Sequence, residues 1–166
     1  MKKIKGEGFI LRSIILDDSK SYWEVMQDKE TINGFMSVPN SFEEAKEEVK
    51  EHIKKSKKGI TEVFTILVSE KYAGNVKLDY QNWDKKSDEG RIHLWLHPDY
   101  RGKGLATKAL KKLIDYGFSK KNFKVIYAQC KKSNKAVCNV NEKVGFKRVE
   151  DRLVKGVKKV WWEIRK

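Results

Sequence analysis

The stretch Leu94-Trp95-Leu96-His97-Pro98-Asp99-Tyr100-Arg101-Gly102-Lys103-Gly104-Leu105-Ala106 runs from an apolar strand through a short turn into a helix start punctuated by two glycines. The strand must end facing the first turn of a helix. The glycines leave the backbone there open to left-handed conformations and to close approach by a bulky group. The opening N–H groups of a helix have no partner inside it, and the macrodipole places partial positive charge at the same spot. With Arg101 and Lys103 adding full charges, the junction predicts a phosphate site.

Two common phosphate loops do not fit. The Walker pattern G-x-x-x-x-G-K-(S/T), begun at Gly102, needs a glycine where the chain has Thr107. The dinucleotide fingerprint G-x-G-x-x-G starts correctly at Gly102 and Gly104 but meets Thr107 again, and the junction lies past mid-chain, not in a first βαβ unit.

Around the junction the apolar pattern divides the chain into short strands and amphipathic helices. Gly8–Ile15 reads as a first strand, ended by Asp17-Asp18, either of which can cap a helix lined by Tyr22, Trp23 and Met26. Residues 33–40 read as a loop. Ser41 stands at capping-box spacing from Glu44, and Phe42, Ala45, Val49 and Ile53 recur at helical intervals up to Lys55. Thr61–Ser69 and Tyr72–Tyr80 read as strands joined at Glu70-Lys71, and the polar insert Gln81–Ser87 leads to a strand at Glu89–Leu96. After the glycines, Leu105, Ala109, Leu110, Leu113, Ile114 and Gly117 share one helix face, with Lys108, Lys111 and Lys112 opposite. Phe123–Cys130 reads as a strand. A short helix capped by Ser133 or Asn134 then runs to about Val144 and stops at Gly145, and Phe146–Val154 and Val157–Ile164 close the chain as a hairpin around Gly156. The expected fold class is α+β: one domain over residues 1–166, with a mixed, mostly antiparallel sheet of about seven strands, a central βαβ crossover and flanking helices.

Arg101-x-x-Gly104-x-Ala106 resembles the pyrophosphate-binding motif (R/Q)-x-x-G-x-(G/A) of the GNAT superfamily of acyl-CoA-dependent N-acyltransferases. Asn134 followed by Glu142-Lys143-x-Gly145-Phe146 is similar to the family's second signature, N-x-x-(A/S)-x-x-x-x-E-K-x-G-F, and the order of elements matches the GNAT fold from end to end. Leu11-Arg12, Trp95 and the Asn134 region look most like the branch containing ribosomal-protein N-terminal and spermidine acetyltransferases.

The resemblance implies acetyl-CoA as co-substrate and no metal. It implies that main-chain N–H groups of Arg101, Gly102, Lys103, Gly104, Leu105, Ala106 and Thr107 cradle the pyrophosphate. The Leu94-Trp95-Leu96 edge would pair with the pantetheine amides like an added strand, and a main-chain N–H near Leu96 would face the thioester oxygen. Strands Glu89–Leu96 and Phe123–Cys130 would splay to admit the pantetheine arm, with Asn134 and Lys143 completing the coenzyme set. Trp95 also reads as core, and Asn134 as a plain helix cap.

An amine acceptor is mostly protonated at neutral pH, so a base or a water chain should remove its proton. Alternation puts Glu89, Arg91, His93 and Trp95 on one face. The position where relatives often carry a carboxylate falls on Arg91 or Gly90, which leaves Glu89 and His93 as the candidate catalytic residues. Where many members have a tyrosine to protonate the leaving thiolate, this chain has Asn141. A thiolate can leave without that donor.

The favoured acceptor is a protein N-terminus, with a polyamine or other small amine next. Phe35, Tyr80, Trp83 and Trp161 read either as core or as lining of its pocket. Lys+Arg of 37 against Asp+Glu of 23 gives a net charge of +14, which attracts anions generally and leaves ribosome association or an RNA-associated role open. No RNA-binding motif accompanies it. The missing tyrosine leaves open a CoA-binding protein without turnover. Cys130 and Cys138 lie in no metal-binding pattern and read as reduced thiols. No apolar run reaches the roughly 18 residues that span a bilayer, and no leader pattern opens the chain. A cytoplasmic monomer or homodimer is expected.

Overall fold

In the computed structural model, which describes residues 1–34, 37–80 and 87–166, a central sheet separates two helical layers. The strands are β1 (Lys3–Lys5), β2 (Ile10–Ser13), β3 (Thr61–Val68), β4 (Lys71–Tyr80), β5 (Glu89–Leu96), β6 (Val125–Lys131), β7 (Lys147–Val154) and β8 (Val157–Arg165). The helices are α1 (Ser19–Met26), α2 (Lys29–Gly34), α3 (Phe42–Lys57), α4 (Leu105–Lys120) and α5 (Lys135–Val144). Strand order is β1-β2-β3-β4-β5-β6-β8-β7. Every pair is antiparallel except β5–β6, which α4 connects as the βαβ crossover.

Strand alternation sorts side chains into two cores. Ile92 and Leu96 of β5 pack with the α4 stripe Leu105, Ala109, Leu110, Leu113 and Ile114 on one face of the sheet. Trp95 faces the opposite way, into a smaller core with Tyr22, Val25, Met26, Ala45 and Val49 from α1 and α3. The helix period read from sequence thus predicts the buried face of α4 residue for residue, and Gly117 lets that helix lie so close that an added Cβ would stand 2.8 Å from Ile126 Cδ1.

Several local expectations shift. The sheet has eight strands because Lys3–Lys5, too short and charged to read as a strand, pairs with β2 at the sheet edge. The loop expected from Asn33 begins inside α2, a single short helix anchored by buried Thr31. The β3–β4 turn is centred one residue earlier than expected, on Ser69 and Glu70, both at positive φ, the conformation that two-residue hairpins of this hand demand. Asp18 does not cap α1 with its side chain. Its carboxylate is buried and bound by Arg12, the Ile15 N–H and the Thr65 hydroxyl at 2.7–3.1 Å. At α3, Ser41 accepts from the Glu44 N–H at 3.1 Å, but the Glu44 carboxylate reaches back to Asn40 and not to the cap residue itself.

Candidate active site

The turn after β5 is built as its glycines require. Pro98–Tyr100 form one helical turn, Gly102 and Gly104 take left-handed φ of 71° and 76°, and α4 starts at Leu105. The first N–H of the helix to find a carbonyl is Lys108, on Gly104 O at 3.1 Å. Among the described residues, no backbone acceptor takes the N–H groups of Gly102, Lys103, Gly104, Leu105, Ala106 or Thr107. A Cβ built on either glycine meets nothing within 4 Å, so the turn is uncrowded at both glycines. The Arg101 N–H differs from the expected cradle: it already donates to Pro98 O at 3.1 Å.

The charges expected beside the turn are disposed unequally. Lys103 is exposed, its ammonium on Asp99 O at 2.6 Å. The Arg101 guanidinium turns away, donating to Leu96 O (3.1 and 2.9 Å), Asp28 (2.6 Å), Glu30 (2.9 Å) and Thr31 (3.0 Å).

β5 and β6 pair only over Glu89–Arg91 and Val125–Tyr127, and beyond them the ladder ends although both strands continue. The His97 N–H bonds Ala73 O on β4 at 2.9 Å. Alternation back from it turns the backbone groups of Trp95 and His93 to β4 and those of Leu96, Leu94 and Ile92 into the split. Leu96 O is occupied by Arg101, which leaves the Leu96 N–H and both groups of Leu94 facing the gap. Asn134 stands at the start of α5, its Oδ1 accepting from the Val137 N–H at 3.1 Å, and it, not Ser133, is the cap. Lys143 is exposed in the last turn of α5, at the opposite end of that helix from Asn134. Asn141 is buried, and its amide nitrogen has no hydrogen-bond partner among the described residues.

On the other face of β5 lies a cavity of about 290 Å³ whose lining includes Tyr22 and Met26 of α1, Glu48, Glu51 and His52 of α3, and His93 and Trp95. Behind Trp95 lies a polar network. Trp95 Nε1 donates to Asn75 Oδ1 at 3.1 Å, the Tyr72 hydroxyl shares that oxygen, and the Asn75 amide reaches Thr65. Below His93 sits Asp79, fully buried, with Lys77 Nζ at 3.2 Å and His93 Nε2 at 3.4 Å. Burial raises the Asp79 carboxyl, but His93 and Lys77 outweigh that and hold it well below the usual carboxylate range. Burial pushes His93 down to about 4 against the pull of Asp79, and pushes His52 down to about 4 as well. Both imidazoles are therefore neutral at pH 7. Glu48 is held by the Tyr22 hydroxyl at 2.7 Å.

Of the two expected catalytic residues, His93 lines this cavity and Glu89 does not. Glu89 lies at the start of β5, where the strands still pair, with Tyr127 Oη at 3.3 Å. Tyr80 packs edge-on against Phe123, and Trp161 lies under Arg152, so neither faces the cavity. Phe35, Trp83 and residues 81–86 of the polar insert lie outside the described residues. The sequence does not single out His52, Asp79 or Asn75. The only signal for them was polar residues set in otherwise apolar strands and on the inner side of a helix.

Residues 9–147 match the acetyltransferase (GNAT) domain. The chain belongs to that family. Spermidine N(1)-acetyltransferase of Escherichia coli (strain K12) is 35% identical over 91 residues, 55% of this chain and 47% of that protein, so the match spans about half the length of that curated relative. Among solved structures, the ribosomal L7/L12 alpha-N-protein acetyltransferase RimL, in complex with coenzyme A, superposes with a TM-score of 0.88 at 15% identity over 99% of this chain and 98% of that one. The acetyltransferase MccE, solved with acetyl-CoA and AMP, gives 0.82 at 20% identity over 96% and 93%. These likenesses show the fold.

The GNAT framework gives the two compartments a common wall. Leu94 and Leu96 open onto the split that leads to the glycine turn, while their neighbours His93 and Trp95 line the cavity. Among the described residues no group of three or more His, Cys, Asp or Glu side chains is placed to hold a metal ion, and no helix is long and apolar enough to cross a membrane.

Proposed function

We propose that the chain transfers an acetyl group from acetyl-CoA to a primary amine. The observation that carries this reading is the run of unpartnered N–H groups from Gly102 to Thr107, standing at the end of a strand that has lost its parallel neighbour. The coenzyme's diphosphate takes those N–H groups at the positive end of α4. Its pantetheine amides add as a strand along Leu94 and Leu96. The acetyl carbonyl oxygen then meets a main-chain N–H at the split, which stabilises the oxyanion formed on attack.

The amine enters from the cavity. Its nitrogen attacks the thioester carbon, the C–S bond breaks as the intermediate collapses, and coenzyme A leaves as the thiolate. Two protons must be placed. The amine's passes to water or to neutral His93, whose Nε2 lies 3.4 Å from Asp79 Oδ2. The thiolate takes its own from solvent, since Asn141 cannot donate as an acid.

The acceptor we favour is a protein N-terminus, because a cavity of about 290 Å³ with an open mouth suits the first residue of an extended chain. A specific feature supports a polyamine as second reading. Glu48 and Glu51 belong both to the cavity and to a groove of about 560 Å³ lined by Ser41, Glu43, Glu44, Glu47, Glu48 and Glu51, so a second cationic group has carboxylates to meet. Calorimetric titration with acetyl-CoA, followed by thiol release against peptides of varied first residue and against spermidine, tests the proposal. Saturable binding and turnover on one amine class are expected. Absence of binding overturns the reading.

A further inference from the structure

The first arginine of the pyrophosphate motif is already fully engaged. Its guanidinium caps Leu96 O with two N–H groups at 3.1 and 2.9 Å and reaches across to Asp28, Glu30 and Thr31. Asp28 Oδ2 also accepts from the Thr31 N–H at 3.0 Å and from the Thr31 hydroxyl at 3.2 Å, so the arginine closes a bonded ring around the α1–α2 junction. Arg101 and Asp28 side chains are 26% and 21% exposed, sheltered enough for these contacts to persist. Arg101 faces two carboxylates with one charge, so the cluster as a whole carries no net positive charge. Lys103 is the cation of the motif that remains exposed.

The far end of this bridge belongs to the acceptor side. Met26, two residues before Asp28, lines the cavity, and Gln27 holds Pro39 O at 3.2 Å, Pro39 being another lining residue. The near end is Leu96, the residue whose N–H opens onto the coenzyme split. We propose that Arg101 is a positioning residue: a strut that fixes the α1–α2 wall of the acceptor cavity against the end of β5, in place of a side-chain ligand to the coenzyme phosphates. This assignment rests on the coenzyme site proposed above. It makes the two sites share one element, so ordering the coenzyme turn steadies the acceptor wall, and the reverse holds equally.

Charge and geometry separate the two roles. A phosphate ligand tolerates lysine, which keeps the charge. A strut does not, because an ammonium cannot span a carbonyl and two carboxylates in the fixed fork of a guanidinium. The test compares Arg101→Lys, Arg101→Gln and, at the far end, Asp28→Asn, using coenzyme A calorimetry over a salt series and hydrogen exchange of residues 26–34. The strut predicts that both Arg101 variants and Asp28→Asn bind coenzyme A within threefold of the wild type with an unchanged salt slope. It also predicts at least tenfold faster exchange in residues 26–34, and that coenzyme A slows this exchange in the wild type but not in the variants. The proposal is overturned if Arg101→Gln loses tenfold or more in affinity with a shallower salt slope and Arg101→Lys restores it, or if Asp28→Asn leaves exchange unchanged. Should the Arg101 variants fail to fold, Asp28→Asn decides by the same exchange readout. If the wild type itself binds no coenzyme A, the coenzyme reading fails on that measurement, while exchange in the unliganded variants still decides the strut.

Discussion

Mild acid should destabilise this protein through the two histidines of the acceptor cavity. His52 and His93 have folded pKa values pushed down by burial from 6.5 to about 4. Between these values the unfolded chain binds protons that the native state does not, so stability falls as pH drops through that window and is unaffected above it. At pH 5 the ratio of the two binding polynomials is roughly 30 for each histidine, or about 2 kcal/mol apiece relative to pH 7 or above. Because both imidazoles stay mostly neutral in the folded protein at pH 5, the two losses are close to additive. Asp79 and Asp28, whose carboxyls are held down, change only below the ordinary value of 3.8 and leave this interval alone. Urea unfolding at pH 7.5 and pH 5 measures the loss directly. His52→Gln and His93→Gln should each flatten the pH dependence by about 2 kcal/mol, whatever they do to stability at pH 7.5. If wild type and both variants lose the same stability between the two pH values, burial does not hold these imidazoles neutral.

Gly104→Ala places a Cβ at φ 76°, a strain of about 1–2 kcal/mol, so the melting temperature should fall by about 2–8 °C and coenzyme A affinity by more than tenfold, read by thermal unfolding and calorimetry. Trp95→Phe removes the indole donor to Asn75 Oδ1 and should cost about 1–2 kcal/mol in urea unfolding, with a larger relative drop in kcat. Glu48→Gln with Glu51→Gln should raise the KM for spermidine at least fivefold while changing that for an uncharged-side-chain peptide less than twofold, measured by thiol release.

The parts legible in the sequence are those governed by short-range rules. The α4 stripe follows helix period, Gly145 at φ 106° ends α5 as a residue without a Cβ readily does, and the glycine turn exposes its amides because a helix start must. What stayed hidden depends on partners far apart in the chain. Arg101 reads as a charge beside the phosphate until the α1–α2 junction and α2 bring Asp28 and Glu30 to it. Asp79 looks like an ordinary polar residue near the end of β4, yet register sets it beside Arg91 and close to His93. Glu89 and His93 share a face by alternation, and only the position of the cavity separates them. Asp18 reads as a cap because local sequence cannot reveal that Thr65 and Arg12 will claim its carboxylate.

An amide-resolved NMR titration with coenzyme A tests most directly whether the glycine turn and the split hold the coenzyme. Saturable shifts are expected, largest at the N–H groups of Gly102 through Thr107, with Leu94 and Leu96 following along the split. Saturable binding with those amides unmoved and the largest shifts elsewhere would contradict that binding site.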